Sequence, residues 1–376
     1  MKSIKVFVII ISIVIVIPIL GFAMWFMQES KPLSIAMINK SILKYKGSEN
    51  QSFNYILNKE KYFTDWDMKY NLKNDYFGVH WLKDKYRVKY PSLRDVEKKV
   101  NESDVVYFSD MYGIRTNHLK NLSKDGPDKL EYGGVNNTDY TFVKALISHN
   151  KPTIIECSFL APPTEPLVRY NFETMTDIYF VGWNGKYLND LSIDPDLNIE
   201  LNCIDMYEKY TGKKWNFSGP GVVFYNVHDE RVYVLQENID INASEGLIIT
   251  SEEGINKYNL PEKIGYNGRF TVLHPGDNKV VSYFELNPTA EGKRKLNELG
   301  IPDKFPALIE AGDNLYYLAG DFGKNRVNMF LSQMNGINDV VHSMKKRSIS
   351  ASNFFHAYYY PFMSKVLKDA YLMKQE

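Results

Sequence analysis

The 376-residue chain reads as an α/β protein. It predicts a mainly parallel sheet with flanking helices, elaborated by β-hairpins in its second half and preceded by one N-terminal transmembrane helix. Three observations carry this. Val6 to Met27 is an almost unbroken apolar run, VFVIIISIVIVIPILGFAMWFM, behind Lys2 and Lys5. At ~1.5 Å rise per residue such a run spans a ~30 Å hydrocarbon core. Between Asp104 and Phe159 short apolar strands alternate with an amphipathic helix at the spacing of a parallel crossover. Past Trp183 the pattern changes to extended pairs separated by turn residues.

The apolar run divides the chain into an anchor, 1–30, and an α/β domain, 31–376, with β-rich insertions in its second half. A secretory signal peptide also opens with lysines and an apolar core, and Gly21-Phe22-Ala23 spaces small residues as a cleavage site does. The run continues through Met24, Trp25, Phe26 and Met27, which suits a retained anchor with aromatics at the interface. Lys31, Lys40, Lys44 and Lys46 follow the span, so positive charges alone do not choose its orientation. A short N-terminal tail before a large exported domain is the simpler topology. The expectation is a single-pass protein of the cell membrane, held in the lipid bilayer through residues 6–27, with an extracytoplasmic C-terminal domain.

The elements follow in order. Leu33 to Asn39 is a first buried strand, and Tyr76 to His80 a short one within a polar stretch ending near Pro91. Ser92 caps a helix whose Leu93, Val96 and Val100 share a face. Asp104 to Asp110, DVVYFSD, is a strand that ends in a carboxylate. EYGGVNN then leads into a helix over Asp139 to His149 with Phe142, Val143, Leu146 and Ile147 inward. Pro152 to Phe159, PTIIECSF, is the next strand, followed by a helix from Thr164 to Thr176 and a strand at Ile178 to Gly182. After the WNFSGPG turn, VVFYNVHDERVYVLQ reads as a hairpin, and extended pairs follow at Gly246 to Thr250, Arg269 to His274 and Val280 to Leu286. Thr289 to Leu299 is a helix closed by Gly300 and Pro302. FPALIEA and NLYYLAGDF are two more strands around the turn AGDN. Near the C-terminus Phe354, Tyr358 and Phe362 share a helical face beside Phe355, Tyr359 and Met363, and Pro361 marks a helix start or a kink.

Composition narrows the function. Lysines plus arginines equal aspartates plus glutamates at 45 each, so no net field recruits nucleic acid. The 27 tyrosines and 21 phenylalanines support a large packed core. Cys157 and Cys203 are the only cysteines. In an oxidising compartment they close a loop of about 45 residues, worth ~3–4 kcal/mol; as buried thiols they need no partner. The chain has no CxxC, HExxH, Walker A, GxGxxG or GxSxG, so no cofactor and no metal site is expected. Asp194 to Glu200 resembles the opening of a calcium loop but lacks its glycine. Lys345-Lys346-Arg347 is a solvated cluster, or a contact for anionic lipid.

Ligands of open parallel sheets bind beyond the carboxyl ends of the strands. Asp110, Glu156 and Asp321 stand at such ends and are the candidate catalytic carboxylates, although an acid at a strand end is often only a cap for loop amides. Trp183 and Tyr187, after the expected strand at Ile178 to Gly182, are the candidate ligand-binding aromatics, able to stack on a sugar face or to pack under a loop. Cys157 follows Glu156 without the small residues that a nucleophile elbow requires. His118 and His274, near expected loops, are the histidines available as a base.

Taken together, VVYFSD, the GG before a helix, PTIIECSF with APPT, VGWNGKYLNDL, WNFSGPGVVF and YYLAGDF with FFHAYYYPFM resemble a group of uncharacterised bacterial membrane-anchored proteins. Their first half is similar to the class I glutamine amidotransferase-like fold, and the resemblance covers most of the chain after the anchor. Glutaminases of that fold use an elbow cysteine with a distal His-x-Glu pair. Neither is expected here, so the resemblance implies the fold without the glutaminase nucleophile. Two functions follow: a binding or scaffold module for envelope glycan or envelope proteins, or a glycan-processing hydrolase using the strand-end carboxylates.

Overall fold

The parallel crossovers read from the sequence form the centre of a ten-stranded sheet. The computed structural model describes residues 16–41, 50–65, 67–71, 74–82, 85–116, 129–193, 203–242, 246–336, 340, 343–344 and 349–376. Leu315–Leu318, Thr153–Glu156, Val105–Asp110, Ile35–Asn39 and Phe77–Leu82 lie side by side in that order, each parallel to the next. Their sequences explain the position. IAMIN, VVYFSD and TIIE are buried along their whole length, as strands covered on both faces must be.

Both flanks are antiparallel, so the sheet is mixed around a parallel centre. Lys85–Lys89 folds back on Phe77–Leu82 at one edge. On the other side Lys304–Ala311, Lys279–Glu285, Gly246–Thr250 and Lys263–Tyr266 extend the sheet from Leu315–Leu318 by successive antiparallel pairings. The connections there are short turns or single helices, such as Gly312 in a left-handed turn between two strands, and short connections favour antiparallel neighbours.

Val96–Glu102, Asn137–Ser148 and Pro166–Thr176 pack together as one helical group, and Gln51–Glu60, Glu252–Tyr258 and Tyr360–Gln375 as another. The Asn137–Ser148 helix begins on a reciprocal cap: the Asn136 side chain accepts from the amides of Thr138 and Asp139, while Asp139 accepts from the Asn136 amide at 2.7 Å. The C-terminal aromatics all turn inward. Phe354, Phe355, Tyr358, Tyr359, Phe362 and Met363 are buried along a π-turn at Phe355–Tyr359 and the α-helix Tyr360–Gln375. Pro361 sits in the first turn of that helix, where its missing N–H costs nothing.

Tyr179–Leu188, expected to end at Gly182 and to continue the parallel pattern, leaves the main sheet. It is the ten-residue core of a second, four-stranded antiparallel sheet in the order Val232–Gln236, Gly221–Asn226, Tyr179–Leu188, Arg269–His274. One face joins the main core, a continuous cluster from Leu33 to Ala370. The other carries a small cluster of Leu188, Leu191, Cys203, Val223, Val232 and Val234. Tyr207, Trp215 and Phe217 cover this cluster, edge to face with one another.

Residues 16–27 are helical. Among the described residues no helix is long and apolar enough to cross a membrane; positions 6–15 of the apolar run lie outside them. So do Asp194 to Glu200, His118, His342 and Lys345-Lys346-Arg347. Cys157 and Cys203 are buried thiols, not joined in a disulfide.

Candidate functional site

A cavity of about 340 Å³ opens between the two sheets, at the carboxyl ends of the central parallel strands. Its floor comes from the main sheet: Ser109 and Asp110 close Val105–Asp110, Cys157 and Ser158 follow Thr153–Glu156, and Asp321 and Lys324 follow Leu315–Leu318. Its opposite wall comes from the second sheet through Asn184, Tyr225, Asn226, Arg269 and Thr271. Pairing between the sheets holds it in shape. The Thr271 amide donates to the Ala319 carbonyl at 2.8 Å and the Asp321 amide to the Arg269 carbonyl at 3.1 Å. The Thr271 hydroxyl lies 3.1 Å from the Cys157 carbonyl and 2.8 Å from Asn184 Oδ1.

Two of the three predicted carboxylates face this cavity. Asp110 Oδ1 accepts from the Ser41 hydroxyl at 2.7 Å, the Tyr112 amide at 2.9 Å and the Ser158 hydroxyl at 3.1 Å. Its Oδ2 meets the Lys324 ammonium at 3.0 Å. Burial alone would raise this carboxyl. The charges of Lys324 and Arg269, with the Ser41 and Tyr112 bonds, outweigh it and hold Asp110 well below the usual carboxylate range. Asp321 Oδ1 accepts from the Tyr266 hydroxyl at 2.6 Å and the Arg269 amide at 2.9 Å, and Oδ2 meets Arg269 Nε at 3.4 Å. The same Lys324 ammonium lies 4.0 Å from Asp321 Oδ2. One lysine therefore spans both acids. Gly268 makes room for this arrangement, because a Cβ there would collide with Asp321 Oδ1 and the Tyr266 hydroxyl.

Glu156 lies beneath the cavity rather than in its lining. It is 2 % exposed, and Oε1 accepts from the Tyr107 hydroxyl at 2.5 Å and the Gly323 amide at 2.9 Å. Tyr107 in turn lies 3.1 Å from the Tyr359 hydroxyl. Burial, reinforced by the nearby Asp321 charge, pushes the Glu156 carboxyl well above its ordinary value despite those two bonds. Its burial and its two bonds make it a structural group.

Trp183 and Tyr187 are not at a strand end. They occupy alternate positions of Tyr179–Leu188, so both point to the same face, and both are buried in the main core. Trp183 Nε1 donates to the Leu299 carbonyl at 3.1 Å, and the Tyr187 hydroxyl to Glu237 at 3.0 Å. Neither ring offers a face to a ligand.

Cys157 lines the cavity, but its backbone is the start of a 3-10 turn, Cys157–Phe159, rather than an elbow. Burial, with Asp321, Glu156 and Asp110 nearby, pushes its thiol well up, away from the reactive thiolate. A His-x-Glu pair does occur in the chain, contrary to expectation, at His228-Asp229-Glu230 in the turn between Gly221–Asn226 and Val232–Gln236. Glu230 reaches the cavity rim and lies 3.9 Å from Lys209, whereas His228 packs towards Gly182 and Phe180 and does not line the cavity. His274, also exposed, bonds its own turn at Gly276.

Arg115, Arg269 and Lys324 are the cationic residues at this cavity that sequence reasoning missed. Lys324 stands three positions after Asp321, whereas Arg269 meets that acid only in three dimensions, across 52 residues of chain. Among the described residues no group of acids, histidines and cysteines is placed to hold a metal ion.

No family model matches the chain, and neither does any curated protein. Among solved structures, the fold has a likeness to the crystal structure of a ThuA-like protein from Bacteroides uniformis, with a TM-score of 0.38 and 9% identity, covering 87% of this chain and 97% of that one. A likeness at that score carries no argument, and the architecture rests on the two sheets themselves.

Proposed function

We propose that the chain is a membrane-anchored extracytoplasmic binding module of the cell envelope, amidotransferase-like in fold and without the glutaminase nucleophile. Its cavity takes a small polar ligand of the envelope, such as a sugar unit of an envelope glycan. One observation carries this reading: the acids that face the cavity are each held in an ion pair, Asp110 with Lys324 and Asp321 with Arg269. Paired charges surrounded by Ser158, Asn184, Asn226 and Thr271 offer hydrogen bonds to a polar ligand.

The hydrolase reading draws on the two carboxylates bridged by Lys324. It needs one proton-bearing acid at the scissile bond. Asp110 is held in its ionised form and Glu156, the acid that is raised, is sealed from the cavity. That makes binding the better-supported function.

The test uses the full chain in detergent micelles, titrated with envelope sugars and followed by thermal unfolding and by product analysis. A ligand at 100 times its Kd stabilises the fold by about 2.7 kcal/mol. The stabilisation is expected for the natural chain, with no product formed, and is expected to vanish in Asp321→Asn. Product formation that is lost in Asp110→Asn or Asp321→Asn would instead establish the hydrolase.

A further inference from the structure

The helix at 16–27 is bolted to the domain along one seam and bare everywhere else. Pro18, Gly21, Trp25 and Gln28 follow the three-four spacing of a helix face and turn towards the protein, Gly21 and Trp25 completely. Trp25 Nε1 donates to the Asn58 carbonyl at 2.7 Å, and the Lys61 and Lys69 ammoniums lie 5.0 and 4.4 Å from its ring. Lys61 also donates to the Phe26 carbonyl at 2.9 Å. Asn335 binds twice, its amide to the Gly21 carbonyl at 3.2 Å and its side chain to Gln28 Oε1 at 3.0 Å. Gly21 packs so closely on Met334 and Asn335 that a Cβ would sit 3.1 Å from the Asn335 carbonyl oxygen.

Outside the seam the helix exposes Ile19, Leu20, Phe22, Met24, Phe26 and Met27. Such a contiguous apolar surface on a soluble protein marks a contact. The occupant is indicated by the chain itself, because residues 6–15 continue the same run with no charged residue and together with 16–27 reach bilayer length. The two elements that receive the seam carry further bare apolar side chains. Phe330, in the 3-10 turn Met329–Gln333 that leads to Met334, is 67% exposed, and Met68, next to Lys69, is 59% exposed.

We propose that the domain is seated on the lipid bilayer rather than tethered to it, with Met68 and Phe330 entering the interface beside the docked helix and the exposed Lys69 at the headgroup level. The proposal rests on the anchor reading above and adds to it a fixed orientation of the domain against the membrane. The Trp25 socket transmits that orientation, since it joins the apolar segment to the end of the Gln51–Glu60 helix at Asn58.

The experiment places one nitroxide at a time on the full chain in phosphatidylglycerol-containing vesicles, through Met24→Cys, Met68→Cys, Phe330→Cys and, on the other helical group, Leu167→Cys. The native thiols are buried and exclude the label. Molecular oxygen, which partitions into lipid, is expected to relax the labels at 24, 68 and 330 several-fold more than a water-soluble nickel chelate does, and the reverse is expected at 167. Adding Trp25→Ala is expected to return 68 and 330 to water while 24 stays in lipid. If 24 lies in lipid while 68 and 330 are aqueous from the start, the seating is wrong and the anchor stands. If 24 is aqueous too, the anchor reading fails and the seating with it. Spin–spin broadening at 330 that disappears on dilution with unlabelled chain would assign the surface to a second copy and also overturn the proposal.

Discussion

Replacing Glu156 by Gln gives a sharp test of how the layer beneath the cavity is held together. A carboxyl whose folded pKa lies above its unfolded value of 4.5 favours folding fully below pH 4.5, and that contribution is lost as the pH rises towards the folded pKa. The unfolded chain gives up its proton above pH 4.5 while the folded chain keeps one. Stability then falls by up to about 1.4 kcal/mol for each pH unit, a factor of ten in the folding equilibrium. Glutamine carries no titrating proton, yet its carbonyl oxygen accepts from the Tyr107 hydroxyl and the Gly323 amide as Glu156 Oε1 does. Urea unfolding of both forms of the full chain in micelles at pH 5, 6 and 7 reads the effect as a difference in which groups remote from Glu156 cancel. Glu156→Gln is expected to gain on the natural chain as the pH rises above 4.5, by at most about 1.4 kcal/mol per unit. A difference that stays flat with pH would refute a proton-bearing Glu156, and with it the assignment of a purely structural role.

Four further outcomes follow from the packing. Gly268→Ala drives a methyl into Asp321 Oδ1 and the Tyr266 hydroxyl, and is expected to cost about 1–3 kcal/mol in chemical unfolding and to weaken ligand binding. Lys40→Met leaves Asp139 buried without its cation, which now lies 2.6 Å away between the Tyr90 and Tyr132 rings; a loss of about 3–5 kcal/mol is expected by the same measurement. Trp25→Ala removes the seam's anchor and its bond to Asn58, so trypsin is expected to cut the membrane-bound chain near Lys31 several times faster than it cuts the natural chain. Cys157 and Cys203 are expected to resist maleimide in the folded chain and to react fully in urea without prior reduction, as two buried thiols outside a disulfide do.

The centre of the fold was legible because burial on both faces writes itself into composition. Val105 to Phe108 and Ile154-Ile155 form the apolar centres of short strands buried along their whole length, the pattern of strands covered on both faces. The flanks were not legible in the same way. Tyr179–Leu188 is extended by its own sequence, but its partners, Gly221–Asn226 and Arg269–His274, lie far along the chain. Pairing is decided by non-local contacts that local propensity does not record. The helix Gln51–Glu60 was missed for a different reason. Its N-cap Asn50 makes no side-chain capping bond, and Phe53, Tyr55, Ile56 and Leu57 form too dense an apolar run to show a clean helical period.

The same distinction separates the three carboxylates. The rule that ligands bind beyond strand ends leads to Asp110 and Asp321, and both line the cavity: Asp321 lies three positions past Leu318, the last paired residue of its strand, while Asp110 is still paired with Asn39 but follows a shift in the register. It fails for Glu156, which stands opposite Leu318 in a regular parallel register with no shift before it. A residue inside the register alternates with its neighbours between the two faces of the sheet, so Glu156 points into the layer that Tyr107 and Tyr359 occupy, whereas Cys157, one position later, borders the cavity. Trp183 and Tyr187 fail by the same logic: the strand that was expected to stop at Gly182 runs to Leu188, and its pleat carries both rings inward. The face that the local register gives a residue, more than its identity or its nearness to a strand's end, decides whether an acid or an aromatic there meets the cavity or the core.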